Sequence, residues 1–232
     1  MYTELKKIVC EANIELHSLG LAPFTWGNVS QVDREKGVFA IKPSGVPYSE
    51  LTPEKIVVVS LSDGSVVEGD YNPSSDTPTH YVLYKEFGEI GGVVHTHSVN
   101  ASAFAQAGRC IPAYGTTHAD FSYTAVPCTR ALTEEEVKTR YELNTGKVIV
   151  EHFNAKSLDV QSTPAVLVRS HAPFAFGKSA SDAVHNAAVL EIVAEMALKT
   201  ELIKRDTKDI DKYLSDKHYF RKHGKDAYYG QK

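Results

Sequence analysis

The chain has 232 residues, 42% of them hydrophobic and 23% charged, with 25 Lys+Arg against 29 Asp+Glu and a formal net charge of −4. This is the composition of a globular protein that buries its own core, and it excludes a general nucleic-acid binder, which needs a basic surface to displace counterions from phosphates. A small anionic ligand stays open, because a few local cations suffice.

The chain reads as one continuous domain over residues 1–232, with no internal repeat or Pro/Gly/Ser-rich linker. Residues 3–19 carry Leu5, Ile8, Val9, Ala12, Leu16 and Leu19 at helical spacing, and Gly20 ends the run. Residues 25–33 and 38–42 are strand-like around the turn at Asp33-Arg34-Glu35-Lys36-Gly37, and 57–61 and 65–68 flank a second hairpin at Ser62-Asp63-Gly64. Thr77-Pro78 opens a helix that runs to about Gly88, with proline where its missing N–H is harmless. Residues 91–97 form a buried strand, followed by an Ala-rich helix that ends near Gly108. Thr133-Glu134-Glu135-Glu136 has the form of a capping box at the start of another helix. Short strands over 165–168 and 174–176 surround Ser170-His171-Ala172-Pro173, and Ser181-Asp182 is read as the cap of a long apolar helix. A last helix carries Ile210, Tyr213, Leu214, Lys217 and His218. Hairpins followed by strand–helix alternation predict a mixed sheet covered by helices on both faces.

Three cysteines (Cys10, Cys110 and Cys128) form no CxxC pair and leave one odd, so a disulfide framework is not expected and a reducing, cytoplasmic setting fits. The first residues lack the apolar core of a signal peptide, and no apolar run approaches the ~20 residues of a membrane span, so no membrane partner is expected. The unusual feature is histidine: nine of the ten lie at or beyond His80.

His95-Thr96-His97 is the sharpest signal. Side chains two apart on a strand project to one face, so two imidazoles converge where the strand leaves the core. His171, at the end of another short strand, is placed to complete a three-histidine site, and neutral imidazoles suit zinc and its first-row neighbours with a position left open for substrate. The alternative is three separate, satisfied histidines. Asn72-Pro73-Ser74-Ser75-Asp76-Thr77-Pro78 offers two hydroxyls and the free N–H groups of a helix start, a cradle for an anion, although Ser75 or Asp76 as a plain N-cap is also open. Asp76 is read as a cap, a metal ligand or a base. Lys42-Pro43-Ser44-Gly45 repeats the theme with a cation, a hydroxyl and an exposed backbone, and the two groups together suggest a phosphorylated ligand. Asp120, in Thr116-Thr117-His118-Ala119-Asp120, is a candidate acid/base or an ordinary turn carboxylate. The basic, aromatic stretch around His218 is a solvated helix face by default.

These segments resemble a known family. Trp26-Gly27-Asn28-Val29-Ser30, Lys42-Pro43-Ser44-Gly45-Val46, Pro73-Ser74-Ser75-Asp76-Thr77-Pro78-Thr79-His80, His95-Thr96-His97 and Gly115-Thr116-Thr117-His118-Ala119-Asp120 match the class II aldolase/epimerase superfamily in order and spacing. So do Asp182-Ala183-Val184-His185-Asn186, Asp216-Lys217-His218-Tyr219, Arg221-Lys222-His223-Gly224 and the Tyr-Tyr-Gly-Gln tail. The resemblance implies a three-layer α/β/α sandwich with a central mixed, largely antiparallel sheet. It implies a divalent cation, Zn2+ or another such as Mn2+ or Co2+, on His95, His97 and His171 with Asp76 at or beside it. Gly27, Asn28, Ser44, Gly45, Ser74, Ser75 and Thr116 then hold the phosphorylated sugar with Lys42, Asp120 and Tyr229 form the acid/base pair, and Glu142 and His218 support them. The implied assembly is a homotetramer with sites between subunits. The implied function is 4-epimerisation between L-ribulose 5-phosphate and D-xylulose 5-phosphate by cleavage and re-formation of C3–C4. The alternatives are a class II sugar-phosphate aldolase, whose members carry a glutamate where Asp76 stands, and a non-catalytic scaffold like the adducin head, whose relatives lose metal ligands.

Overall fold

The computed structural model describes residues 1–223, 225 and 227–229. Seven strands form one sheet: β1 (Asn28–Asp33), β2 (Val38–Ile41), β3 (Val57–Ser60), β4 (Val66–Glu68), β5 (Gly92–His95), β6 (Ala165–Leu167) and β7 (Pro173–Gly177). Their order across the sheet is β4-β3-β2-β1-β5-β7-β6, so β5 enters between the amino-terminal meander and the carboxy-terminal hairpin. Every named pair is antiparallel, in keeping with the largely antiparallel sheet expected; the parallel pairing that exists among the described residues is an isolated bridge, Cys128 to Leu167.

Helices cover both faces, as a three-layer sandwich requires. They are α1 (Thr3–Ser18), α2 (Thr77–Glu86), α3 (Val99–Ala107), α4 (Thr116–Phe121), α5 (Glu134–Lys156), α6 (Ala180–Ile203) and α7 (Lys212–His223). On one face Ala12 and Leu16 of α1, Ala101 and Ala105 of α3, and Ala183, Val184 and Leu190 of α6 pack on Val29, Val94 and Ala175. On the other, Leu83 and Tyr84 of α2 and Ile149 and Phe153 of α5 pack on Phe39, Ile41, Val93, Phe174 and Phe176. Alternate residues of one strand therefore enter different cores, which is why the strands read as unbroken apolar runs. Small residues dominate the α6 side: a Cβ on Gly92 would lie 2.2 Å from the Ser179 carbonyl oxygen, so the start of α6 can approach β5 closely only because Gly92 has none.

Local chemistry explains most boundaries. The Thr133–Glu136 capping box forms as expected, with the Glu136 N–H donating to Thr133 Oγ1 at 3.2 Å and the Thr133 N–H to Glu136 Oε2 at 2.7 Å. The cap of α6 is Ser179 rather than Ser181-Asp182: its Oγ accepts the Asp182 N–H at 3.2 Å, and the Asp182 carboxylate accepts the Lys178 N–H at 2.8 Å. The polar stretch Thr116–Asp120, where Asp120 is expected as an acid/base or a turn carboxylate, lies in the short helix α4.

Asn13, fully buried on α1, ties that helix to the sheet. Its Nδ2 donates to the Val9 and Val29 carbonyls at 2.7 and 3.0 Å, and its Oδ1 accepts the Val29 N–H at 2.9 Å. Asn13→Ala orphans Val29 next to the start of β1 and should cost about 2–4 kcal/mol, read as a lowered denaturant midpoint at unchanged slope.

Candidate active site

The register of the sheet sets the site. Asn28 pairs with His95 across β1–β5, and His95 with Phe174 across β5–β7, so the three share one row at the strand ends. His95 is buried; its ring stacks on Phe174 (centroids 4.3 Å, 19°) and its Nδ1–H donates to the Pro173 carbonyl at 3.0 Å. That bond fixes the tautomer and leaves the Nε2 lone pair facing His97 Nε2, 3.2 Å away. His171 arrives from the tight β6–β7 turn, where Ser170 takes φ +62° and the His171 N–H closes on the Val168 carbonyl at 3.0 Å. Its ring centroid lies 4.9 Å from that of His95 and 5.1 Å from that of His97, and one ligand atom from each of the three histidines falls within 4.8 Å of the others.

Burial, reinforced by the neighbouring imidazoles, holds His97 below its ordinary pKa and pushes His171 down to about 4. Neutral imidazoles with converging lone pairs are the metal-binding form, and the buried Nδ1 of His171 has no protein partner among the described residues. The donor set thus fits a divalent cation.

Asp76 stands beside this cluster rather than inside it. It occupies the N-cap position of α2 without making a side-chain cap bond, and its Oδ2 accepts from Asn28 Nδ2 at 2.7 Å. Burial raises its pKa, but His95, His80 and the Asn28 hydrogen bond outweigh burial and keep the carboxyl below its ordinary value. Asn28 also donates to Ser74 Oγ at 3.0 Å, so one amide joins the acid to the anion cradle. Gly27, at φ +84°, lets the chain pass His95: a Cβ there would lie 2.8 Å from the His95 carbonyl oxygen.

The two cradle segments are zipped together. Pro43 bridges Pro73, the Ser44 N–H donates to the Asn72 carbonyl at 2.9 Å, and the Ser74 N–H to the Lys42 carbonyl at 3.0 Å. Lys42 is 2% exposed, donates to the Val46 and Pro43 carbonyls at 2.7 and 3.3 Å, and sits 4.8 Å above the Tyr48 ring. Desolvation alone lowers its pKa to about 8, and among the described residues no carboxylate pairs with it.

Both constellations open into one cavity of about 600 Å³, lined by Gly27, Asn28, Lys42, Ser44, Gly45, Ser74, Ser75, Asp76, the three clustered histidines and Glu142. It is also lined by Trp26, 6.4 Å from the His97 ring, and by Tyr141, 5.9 Å from the His171 ring. Trp26 opens one of the matched segments, while Tyr141 had no sequence signal of its own.

Thr116, Asp120, His218 and Tyr229 are not among the cavity-lining residues. Asp120 on α4 accepts from His218 Nδ1 at 3.1 Å and from Arg221 Nε and Nη2 at 3.1 and 2.6 Å, with Lys222 Nζ 3.6 Å away. Partial burial raises its pKa, but the Arg221 hydrogen bond and Lys222 outweigh it and hold the carboxyl below its ordinary range. Tyr229 lies over Arg221 and Lys222, at 4.8 and 4.7 Å. Within one chain the expected acid/base residues therefore form a separate, ion-paired cluster, and Thr116 begins the same short helix α4. Arg221 holds this cluster together, where the sequence reading left a solvated helix face. His80 and His118 are buried packing groups: His80 Nδ1 bonds Ser30 Oγ at 2.7 Å, and His118 Nε2–H donates to the Thr124 carbonyl at 2.8 Å.

Comparison with known proteins agrees with this geometry. Residues 7–198 match the family model of the class II aldolase and adducin N-terminal domain. The chain is 56% identical over 229 residues to the L-ribulose-5-phosphate 4-epimerase UlaF of Salmonella paratyphi C (strain RKS4594), with 99% of each chain covered. Among solved structures it resembles an L-fuculose 1-phosphate aldolase (TM-score 0.78, 23% identity, 94% and 96% of the two chains). It also resembles YgbL from Escherichia coli (TM-score 0.72, 22% identity, 94% and 98%); at these identities both speak for the fold. A sheet that gathers three histidines at its strand ends beside an anion cradle, together with these matches, places the chain in the class II aldolase/adducin family.

Proposed function

We propose that this chain is a metal-dependent sugar-phosphate 4-epimerase interconverting L-ribulose 5-phosphate and D-xylulose 5-phosphate. The observation that carries the reading is the meeting of three converging imidazoles and a Lys42-based anion cradle in one cavity; the 56%-identical relative named for that reaction supports it.

The C4 hydrogen lies beta to the ketone and is poorly acidic, so inversion by direct deprotonation is unfavourable. Breaking C3–C4 avoids this. The C4 hydroxyl gives up its proton, the bonding pair passes to the C3 side as an enediolate, and glycolaldehyde phosphate separates. After the aldehyde turns its other face, the pair returns to C4 and the new C4 oxygen takes a proton. His95, His97 and His171, with Asp76 beside them, would hold a divalent cation, read as zinc with Mn2+ or Co2+ compatible, which supplies Lewis-acid chemistry when bound. Lys42, Ser44, Gly45, Ser74, Ser75 and Asn28 would grip the phosphate so that the aldehyde turns without leaving. Proton transfer on opposite faces is assigned to Asp120 and Tyr229, with His218 and Glu142 in support. Since Thr116, Asp120, His218 and Tyr229 lie apart from the cavity of their own chain, they are assigned to the cavity of a neighbouring copy in a homotetramer.

Metal-loaded protein mixed with L-ribulose 5-phosphate should form D-xylulose 5-phosphate, followed by a coupled assay; accumulation of free two- and three-carbon fragments would point to an aldolase instead. His97→Asn should lose bound metal and turnover together, by elemental analysis and the same assay; retained metal would remove His97 from the ligand set. Free Lys42 carries its charge below about pH 8, so KM should rise as pH passes 8, approaching tenfold per pH unit, while Lys42→Met should have a high KM without that rise.

A further inference from the structure

The cavity wall beside His171 is made by a broken helix. α5 leaves helical geometry at Arg140 (φ −145°, ψ 68°), and the two residues after the break, Tyr141 and Glu142, are those that line the cavity. No proline causes the break. It is instead held by side chains: Asn144 Nδ2 donates across it to the Glu136 carbonyl at 2.9 Å, and Thr145 Oγ1 to the Tyr141 carbonyl at 2.9 Å. Thr79 Oγ1 of α2 donates to the Glu142 carbonyl at 2.6 Å. Gly146 lets the two helices press together there, since a Cβ on it would lie 2.8 Å from Val82 Cβ. A break held at three points and backed by a close helix contact is a positioning device.

What it positions is a phenol. Tyr141 is half-buried, its ring 5.9 Å from that of His171; the Thr145 hydroxyl lies beside its phenol oxygen, and among the described residues the phenol O–H donates to no protein acceptor. The anion cradle is built from other segments, Lys42–Gly45 and Ser74–Ser75, so Tyr141 stands at the histidine end of the cavity, where the ketone end of the sugar would lie.

We propose that Tyr141 is a catalytic hydrogen-bond donor of this cavity, its hydroxyl binding an oxygen of the sugar's ketone end as negative charge gathers there during C3–C4 cleavage. The inference rests on the epimerase reading above. A donor aimed at developing charge contributes more in the transition state than in the ground state.

Tyr141→Phe keeps the ring and removes only the hydroxyl. With metal content and thermal midpoint equal to wild type, kcat should fall about tenfold to a hundredfold while KM moves less than about threefold. Glycolohydroxamate, an analogue of the phosphate-free C1–C3 enediolate, should bind correspondingly more weakly, and inorganic phosphate should bind as before. Unchanged kcat and unchanged hydroxamate affinity would overturn the proposal, as would a loss of activity that merely follows a loss of metal. If wild-type protein converts no L-ribulose 5-phosphate, the epimerase reading fails by itself, and hydroxamate binding to the two proteins still decides the role of Tyr141.

Discussion

The site depends on one row of the sheet, in which β5 is held between β1 and β7 so that Asn28, His95 and Phe174 lie side by side. A slip of one residue in either pairing would turn His95 to the opposite face and separate its ring from Phe174 and the Pro173 carbonyl. Because helices cover both faces, polar side chains can reach a shared space only where strands end. His95 and His97 leave β5 at such an end, and the β6–β7 turn brings His171 to the same place. Pro173 fits its role at the first position of β7, where it lacks an N–H but offers a carbonyl to the imidazole.

What was legible in the sequence was local. Val57–Val59 and Val93–Val94 are apolar without alternation because successive residues feed different cores, so strands were visible while their order was not. The His-x-His spacing needed only a strand end, and the Thr133 capping box only four residues. α4 was hidden because six residues are too few to display a helical period. Serines at 179 and 181 both fit an N-cap, and what favours the first is the approach of α6 to Gly92, a tertiary fact. Tyr141 was invisible for a similar reason: the break at Arg140 carries no Gly or Pro and is maintained by Thr79 from another helix.

The two charged constellations are built on opposite principles. Asp120 is surrounded by Arg221, Lys222 and His218, so its charge is neutralised inside its own chain. The cavity holds a carboxylate, Asp76, hydrogen-bonded to an amide, and a lysine bonded to backbone carbonyls, with no ion pair joining the two. The first acid is paired with cations of its own chain, whereas the acid and the lysine of the cavity are held by neutral groups.

Lys42 gives that arrangement a consequence for the molecule as a whole. A cation buried to 2% exposure that, among the described residues, has carbonyl dipoles and the Tyr48 ring but no carboxylate partner is a point of frustration in the fold. An anion that settles there relieves the fold as well as binding to it. Binding and stability are thereby linked: an anion taken up by the folded chain alone adds to the stability of the cavity it enters.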